Sequence, residues 1–318
     1  MVNATQSKRS FAQEVMAEPG GEVLYRCFSC GTCMATCLVR LENPDFNPRR
    51  ILRMVMLNMR EEVLGSPVIW LCSACDACYR RCPQDIHISD LMRAIRNIAI
   101  REGYEPPGPV AMVDEELCSA CGVCVMACPY EAVKLAPVSG NGRAVAKVDK
   151  FLCMNCGICA AACPPGAIAI EGFANEEIIS QMRADNWLSE GPRPRLLVFM
   201  CNWCLRAESE RALLSQYPPN IRVIKAPCSG RIDPQFVLYA LEAGADGVLV
   251  VGCQTGECHY KRGDYIRESR MGLLRTLFTQ MGFADKRVRF EQISSSERGK
   301  FPRLVEEMVA ELRDRGRG

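Results

Sequence analysis

Two stretches in the middle of the chain share one cysteine grammar: Cys118-Ser-Ala-Cys121-Gly-Val-Cys124-Val-Met-Ala-Cys128-Pro129 and Cys153-Met-Asn-Cys156-Gly-Ile-Cys159-Ala-Ala-Ala-Cys163-Pro164. A C-x-x-C-x-x-C-x-x-x-C-P run supplies ligands to [4Fe-4S] clusters, and where two runs stand in tandem the fourth cysteine of each ligates the other cluster. That rule assigns Cys118, Cys121, Cys124 and Cys163 to one cluster, and Cys153, Cys156, Cys159 and Cys128 to a second. The close spacing lets one short loop wrap a cubane, while Gly122 and Gly157 relieve crowding where backbone nears inorganic sulfide.

The pattern is that of a two-cluster bacterial-type ferredoxin, and it occurs a second time. Cys27-Phe-Ser-Cys30-Gly-Thr-Cys33-Met-Ala-Thr-Cys37 is followed at a distance by Cys72-Ser-Ala-Cys75-Asp-Ala-Cys78-Tyr-Arg-Arg-Cys82-Pro83. The same exchange gives one cluster Cys27, Cys30, Cys33 and Cys82, and the other Cys72, Cys75, Cys78 and Cys37. One departure stands out: Leu38, not proline, follows Cys37.

Five cysteines remain of the twenty-one. Cys201, Cys204, Cys228, Cys253 and Cys258 each lie just beyond a short apolar run, and in an open parallel sheet the carboxyl ends of the strands share the edge where sites form. Four thiolates suit a [2Fe-2S] cluster, which leaves one over. Two other chemistries use the same residues: a structural zinc, or a Cys201-Asn-Trp-Cys204 redox dithiol.

Composition narrows the class. A thiol-rich secreted protein is usually small and stapled by disulfides, whereas 318 residues leave room for two or three domains. The start, Met1 to Arg9, has no apolar core segment, and the longest apolar runs, Leu196–Met200 and Val248–Val251, are too short to span a bilayer. A cytoplasmic protein without membrane insertion is expected. Net charge is only +2 with both signs scattered, so nothing marks a nucleic-acid partner. No G-x-G-x-x-G follows a strand, so a dinucleotide or flavin is not held in the usual way. The two histidines, His87 and His259, read as a surface or capping residue and as a structural hydrogen-bonding group. No nucleophile and base mark a substrate site, and no catalytic residue is assigned.

Three segments should position the cysteines: 1–105, 110–190 and 195–318. Residues 1–26 read as a polar arm. Between the first two runs, Asn47-Pro48 caps a helix with Ile51, Val55, Met59 and Val63 on one face. Ser89 is placed to cap a second helix with an apolar stripe of Leu91, Met92, Ile95, Ile98 and Ala99. A helical two-cluster module results, and Tyr104 to Pro109 marks its end. The central segment carries strands at Ala132–Leu135 and Ala144–Val148 around a turn at 139–142, with an amphipathic helix from Glu176 to Leu188 and a boundary at Gly191-Pro-Arg-Pro194. From Arg195, strands at 196–200, 221–224, 247–251 and 288–290 alternate with helices near 203–216, 233–243, 264–281 and 301–314. Such alternation specifies a small parallel-sheet α/β domain. The fold class expected is therefore multidomain, α+β followed by α/β.

These residues also carry a family resemblance. Residues 27–100 resemble the small C-type iron-sulfur subunit of heterodisulfide reductase, through Cys27–Cys37, Trp70-Leu-Cys72, Tyr79-Arg-Arg-Cys82-Pro83 and Ile95-Arg-Asn-Ile98. Residues 110–188 resemble the ferredoxin part of the same enzyme's A-type flavin subunit. Residues 195–318 are similar to the delta subunit of the methyl-viologen-reducing hydrogenase, through Cys201-Asn-Trp-Cys204, Tyr217-Pro-Pro-Asn220, Cys228-Ser-Gly-Arg231, and Gly252-Cys253 to Cys258-His259-Tyr260. The resemblance implies an electron-relay subunit of a cytoplasmic, flavin-based electron-bifurcating complex of anaerobes, with four [4Fe-4S] clusters and one [2Fe-2S] cluster. Its implied partners are an A-type protein that carries FAD, a B-type protein that reduces the disulfide, and a hydrogenase or formate dehydrogenase. The same architecture could serve a methylenetetrahydrofolate reductase.

Overall fold

A computed structural model describes residues 9–108, 110–138, 142–205, 216–282, 287–294, 297 and 299–315. The chain forms two compact units, Met1–Gly108 and Pro109–Gly318.

The first unit has helices and no strand among its described residues. The stretch expected as an arm folds into α1 (Phe11–Ala17). Ser10 and Gln13 cap it reciprocally at 2.9 and 3.2 Å, and Phe11, Ala12 and Val15 are buried. Short helices α2 (Thr32–Ala35) and α3 (Leu38–Glu42) follow the first cysteines. In α4 (Pro48–Met56) the Asn47 side chain accepts from the Arg50 amide at 3.1 Å, and Pro48 opens the first turn. The apolar series does not continue on one helix. Asn58 takes a left-handed φ of +59°, and Met59 caps a separate α5 (Arg60–Leu64). The last helix, α6 (Ile88–Arg101), buries its expected stripe, but its cap position is His87. Ser89 lies inside the helix and donates to Asp76 at 2.5 Å. Arg96 on α6 donates to the carbonyls of Ile69 and Cys72, both at 2.8 Å, which fixes the entry to the second cysteine run.

In the second unit, β1 (Met112–Val113) pairs antiparallel with the later β4 (Ile168–Ala169), and β2 (Val133–Pro137) pairs antiparallel with β3 (Ala144–Val148). Helices α7 (Val123–Ala127) and α8 (Ile158–Ala162) follow the second cysteine of each run. The turn expected at 139–142 lies mostly outside the described residues. The helix expected at 176–188 breaks in two, α9 (Asn175–Arg183) and α10 (Trp187–Glu190), because Asp185 and Asn186 adopt left-handed φ values of +54° and +50°.

Strands β5 (Leu196–Cys201), β6 (Ile221–Ala226), β7 (Gly247–Cys253) and β8 (Val288–Ile293) form one parallel sheet ordered β6-β5-β7-β8. Successive residues of β5 serve opposite cores. Leu197 and Phe199 pack with α9, α10, α11 (Pro234–Glu242) and α12 (Gly263–Gln280), while Leu196, Val198 and Met200 pack with α13 (Lys300–Arg315). Burial on both faces is why β5 and β7 read as unbroken apolar runs. The helix expected near 203–216 falls almost entirely outside the described residues. The strand order reverses between β5 and β7, and at that switch point an open α/β sheet forms its site.

Candidate iron-sulfur sites

All four cysteine runs adopt one backbone shape. The residue before the second cysteine is left-handed in each: Ser29 (φ +61°), Ala74 (+52°), Ala120 (+56°) and Asn155 (+51°). So is the residue after it: Gly31 (+88°), Asp76 (+56°), Gly122 (+74°) and Gly157 (+78°). Left-handed non-glycine residues are uncommon and costly, so their recurrence at matching positions marks loops shaped for a common purpose. Asp76, where the other runs have glycine, is held by the Ser89 hydroxyl. Successive backbone amides around left-handed residues can form anion-binding concavities.

The loops assemble the sets that the exchange rule requires. Cys27, Cys30, Cys33 and Cys82 line a common cavity. Cys118, Cys121, Cys124 and Cys163 line a second, and Cys128, Cys153, Cys156 and Cys159 a third. In each case the fourth thiol arrives from the other run. Cys37 lies within electrostatic reach of Cys72 and Cys75, and Cys78 of Cys72, Cys75 and Cys37. Burial pushes the thiols of Cys33 and Cys37 up to about 11, and that of Cys156 to about 12. Such sulfurs become thiolates when a metal bonds them. Amide donors stand ready for some: Ala146 to Cys118 at 3.4 Å and Ala132 to Cys128 at 3.3 Å. Four soft thiolates around a cavity fit an iron-sulfur cube.

After three of the fourth cysteines, proline leads to a tight turn whose third residue is left-handed: Asp85 (+49°), Glu131 (+55°) and Gly166 (+70°). Each of these donates its amide to the carbonyl of the cysteine three residues earlier, at 3.1–3.4 Å. After Cys37 there is no such turn. Helix α3 begins at once, and the Arg40 and Val39 amides reach the Cys37 sulfur.

The last five cysteines gather at the carboxyl edge of the parallel sheet. Cys201 and Cys253 end the two strands flanking the switch point, their sulfurs 4.0 Å apart. Cys204 joins them, so that the three sulfurs lie within 4.8 Å of one another. Cys228 and Cys258 form a second pair, also at 4.0 Å. Two thiolates about 2.3 Å from one tetrahedral metal stand about 3.8 Å apart, so both pairs have the spacing of two sulfurs on one metal, far beyond the ~2.05 Å of a disulfide. Cys201, Cys228 and Cys258 accept backbone amides from Trp203, Gly230 and Tyr260 at 3.3–3.4 Å. The Cys204 thiol points at the Val251 carbonyl, 3.6 Å away, and burial pushes it well up.

Sequence reading missed several supports of this edge. Gly263 packs so closely that a Cβ there would lie 2.1 Å from the Cys228 sulfur. Asp264, fully buried, accepts the Gly256 amide at 2.6 Å and pins the loop that carries Cys258. His259 stacks on Trp203 with ring centroids 3.7 Å apart. In the first unit, His87 stacks on Tyr79 at 3.4 Å. In the sequence, the only signal at this edge was the position of the cysteines just beyond the strands. The edge also meets the ferredoxin segment: Cys156, Ile158, Cys228, Cys258 and Tyr260 form one buried cluster. Among the described residues no helix is long and apolar enough to cross a membrane.

Comparison with known proteins follows the same divisions. Residues 196–316 match the family described as the methyl-viologen-reducing hydrogenase delta subunit, while residues 23–86 and 107–181 each match a 4Fe-4S dicluster domain. An iron-sulfur subunit of the F420-non-reducing hydrogenase of Archaeoglobus profundus is 44% identical over 131 residues, covering 41% of this chain and 96% of that relative. The A-type subunit of the ferredoxin:CoB-CoM heterodisulfide reductase of Methanosarcina mazei is 42% identical over 152 residues, 47% of this chain but only 19% of that relative. The C-type subunit of the H2:CoB-CoM heterodisulfide,ferredoxin reductase of Methanothermobacter thermautotrophicus is 32% identical over 104 residues, 33% of this chain and 55% of that relative. With its parallel-sheet segment matched over nearly the whole of the Archaeoglobus protein, the chain belongs to the family of the methyl-viologen-reducing hydrogenase delta subunit, here carried behind two 4Fe-4S dicluster domains.

Proposed function

We propose that this chain is the electron-relay subunit of a cytoplasmic heterodisulfide reductase-type complex, passing electrons between a hydrogenase or formate dehydrogenase, a flavin protein and a disulfide-reducing protein. In this reading it is organised as segments 1–105, 110–190 and 195–318, and carries no substrate chemistry of its own. The sixteen cysteines of the four runs hold four [4Fe-4S] clusters in the exchanged sets. The C-terminal edge holds a [2Fe-2S] cluster, with the pairs Cys201/Cys253 and Cys228/Cys258 as ligands and Cys204 as the fifth thiol. The flavin that splits electron pairs belongs to a partner. These clusters supply one-electron chemistry when bound; the protein excludes water, directs amides at sulfur and sets the spacing between sites.

The observation that carries the reading is the wall common to two sites. Cys156 of the inner ferredoxin set lies in one buried cluster with Cys228 and Cys258, so the sheet edge and the ferredoxin are neighbours with no solvent layer between these side chains. A zinc site or an isolated dithiol needs no such neighbour. Anaerobic purification should yield about 18 iron atoms per chain and a reduced [2Fe-2S] electron paramagnetic resonance signal beside the [4Fe-4S] signals. Stoichiometric zinc with about 16 irons would overturn the C-terminal assignment, and clusters that low-potential reductants leave unreduced would overturn the relay.

A further inference from the structure

Arg231 is the largest fully buried side chain in the described structure, with no exposed surface. It follows Cys228 by three residues and ends the short helical turn Ser229–Arg231. Its stem lies across Gly157, the left-handed residue between Cys156 and Cys159. A Cβ at Gly157 would come within 2.6 Å of the Arg231 Cδ. The guanidinium donates to the Phe173 carbonyl at 2.8 and 3.1 Å and to Asn175 Oδ1 at 2.7 Å, and lies 5.1 Å from the Phe236 ring centre. Nη1 is buried with no hydrogen-bond partner, and among the described residues no carboxylate is ion-paired with the group. The Asn175 amide, not an acid, is its side-chain hydrogen-bond partner, with Asp233 and Glu176 within electrostatic reach.

A buried charge without a direct ion pair is costly, and Asp233 and Glu176 act on it without forming one while Arg270 opposes it, so its persistence here calls for a further compensating charge. The neighbouring wall supplies one. Gly157 lines the cavity of Cys128, Cys153, Cys156 and Cys159, and Cys159 is within electrostatic reach of the guanidinium. A four-thiolate cluster is a net anion, more so when reduced, and its potential responds to nearby charge. We propose that Arg231 is a positioning residue that raises the reduction potential of the inner ferredoxin site and locks α8 against the sheet edge, so that this site is the preferred electron acceptor from the C-terminal centre. This rests on the relay reading above.

The test is a redox titration of the complete, anaerobically purified chain followed by electron paramagnetic resonance. Arg231→Met keeps the stem and removes the charge. Asn175→Asp keeps the arginine and sets a carboxylate beside it in nearly the same volume, so it reads the charge even where Arg231→Met does not fold. In both variants, one [4Fe-4S] signal, the one altered by Cys159→Ser, should show at least a tenfold lower reduced-to-oxidised ratio at fixed potential, a shift of about 59 mV for one electron. Arg231→Lys should recover most of it, and the other three signals should stay put. Four unchanged midpoints in Asn175→Asp, with all clusters assembled, would overturn the role of Arg231. Absence of the [4Fe-4S] signals from the parent protein would instead refute the relay reading itself.

Discussion

The sulfurs of Cys228 and Cys258 stand 4.0 Å apart, over a helix start where only glycine fits. Gly263 opens α12, and its φ is not left-handed; the constraint is space. An added methyl would lie 2.1 Å from one sulfur and 3.1 Å from the other, closer than any ordinary contact. Gly263→Ala should therefore drive the pair apart and abolish the signal of the proposed [2Fe-2S] cluster, leaving the signals of the proposed [4Fe-4S] clusters and the helical circular dichroism in place. Retention of the full signal would mean that this pair is not on one metal.

The fifth thiol can be identified by substitution. Cys204 aims its sulfur at the Val251 carbonyl, 3.6 Å away, the contact a protonated thiol makes. Cys204→Ser preserves a hydroxyl donor for Val251, so the variant should keep the [2Fe-2S] signal near parental intensity. Cys201→Ser, Cys253→Ser, Cys228→Ser and Cys258→Ser should each lose it. A Cys204→Ser protein without the signal would move Cys204 into the ligand set and free one of the others.

In the first unit, Arg60 on α5 joins Glu14 of α1 at 2.5 Å and also bonds Glu102 beyond α6. Hydrogen bonding from Arg60 holds the Glu14 carboxyl below its usual 4.5. A depressed carboxylate adds stability above its unfolded pKa and loses it as pH falls through the lower folded value. Both side chains are about one-third exposed, so the contribution is about 0.5–1 kcal/mol. Glu14→Gln should lower the thermal midpoint at pH 7, and the difference from the parent should shrink at pH values below 4.5. An equal difference at both pH values would show that the pair adds nothing electrostatic.

The cysteine spacing marked the sixteen residues of the four loops, because the spacing of each run follows the ferredoxin pattern, and three of the expected groups line common cavities. The parallel sheet was equally legible, since β5 and β7 are buried on both faces and read as continuous apolar runs. Local breaks were not. Asn58, Asp185 and Asn186 adopt left-handed backbone inside otherwise helical patterns, and an apolar period does not register a single such residue. Ser89 looked like a cap from its neighbours, yet its hydroxyl is used by Asp76 across the fold. Arg231 and Gly263 act through close approach between segments distant in sequence, which no one-dimensional pattern encodes.

The absence of proline after Cys37 has a structural counterpart that can be tested. Helix α3 starts at Leu38, and its Val39 and Arg40 amides reach the Cys37 sulfur, whereas the three Cys-Pro sites turn through a left-handed third residue. Amides bonded to a ligating sulfur raise a cluster's potential, and α3 supplies them at Cys37 as the loops after the prolines do at Cys128 and Cys163, so the missing ring is not by itself a lever. Cys37 already has the extended ψ of 118° that a following proline requires, and proline suits the first position of a helix. Leu38→Pro should therefore keep α3 and leave every [4Fe-4S] midpoint within a few millivolts of the parent, while loss of the buried Leu38 side chain costs about 1–2 kcal/mol in denaturant unfolding. A midpoint displaced by a tenfold change in reduced fraction, about 59 mV, would show instead that residue 38 itself sets the potential of this site.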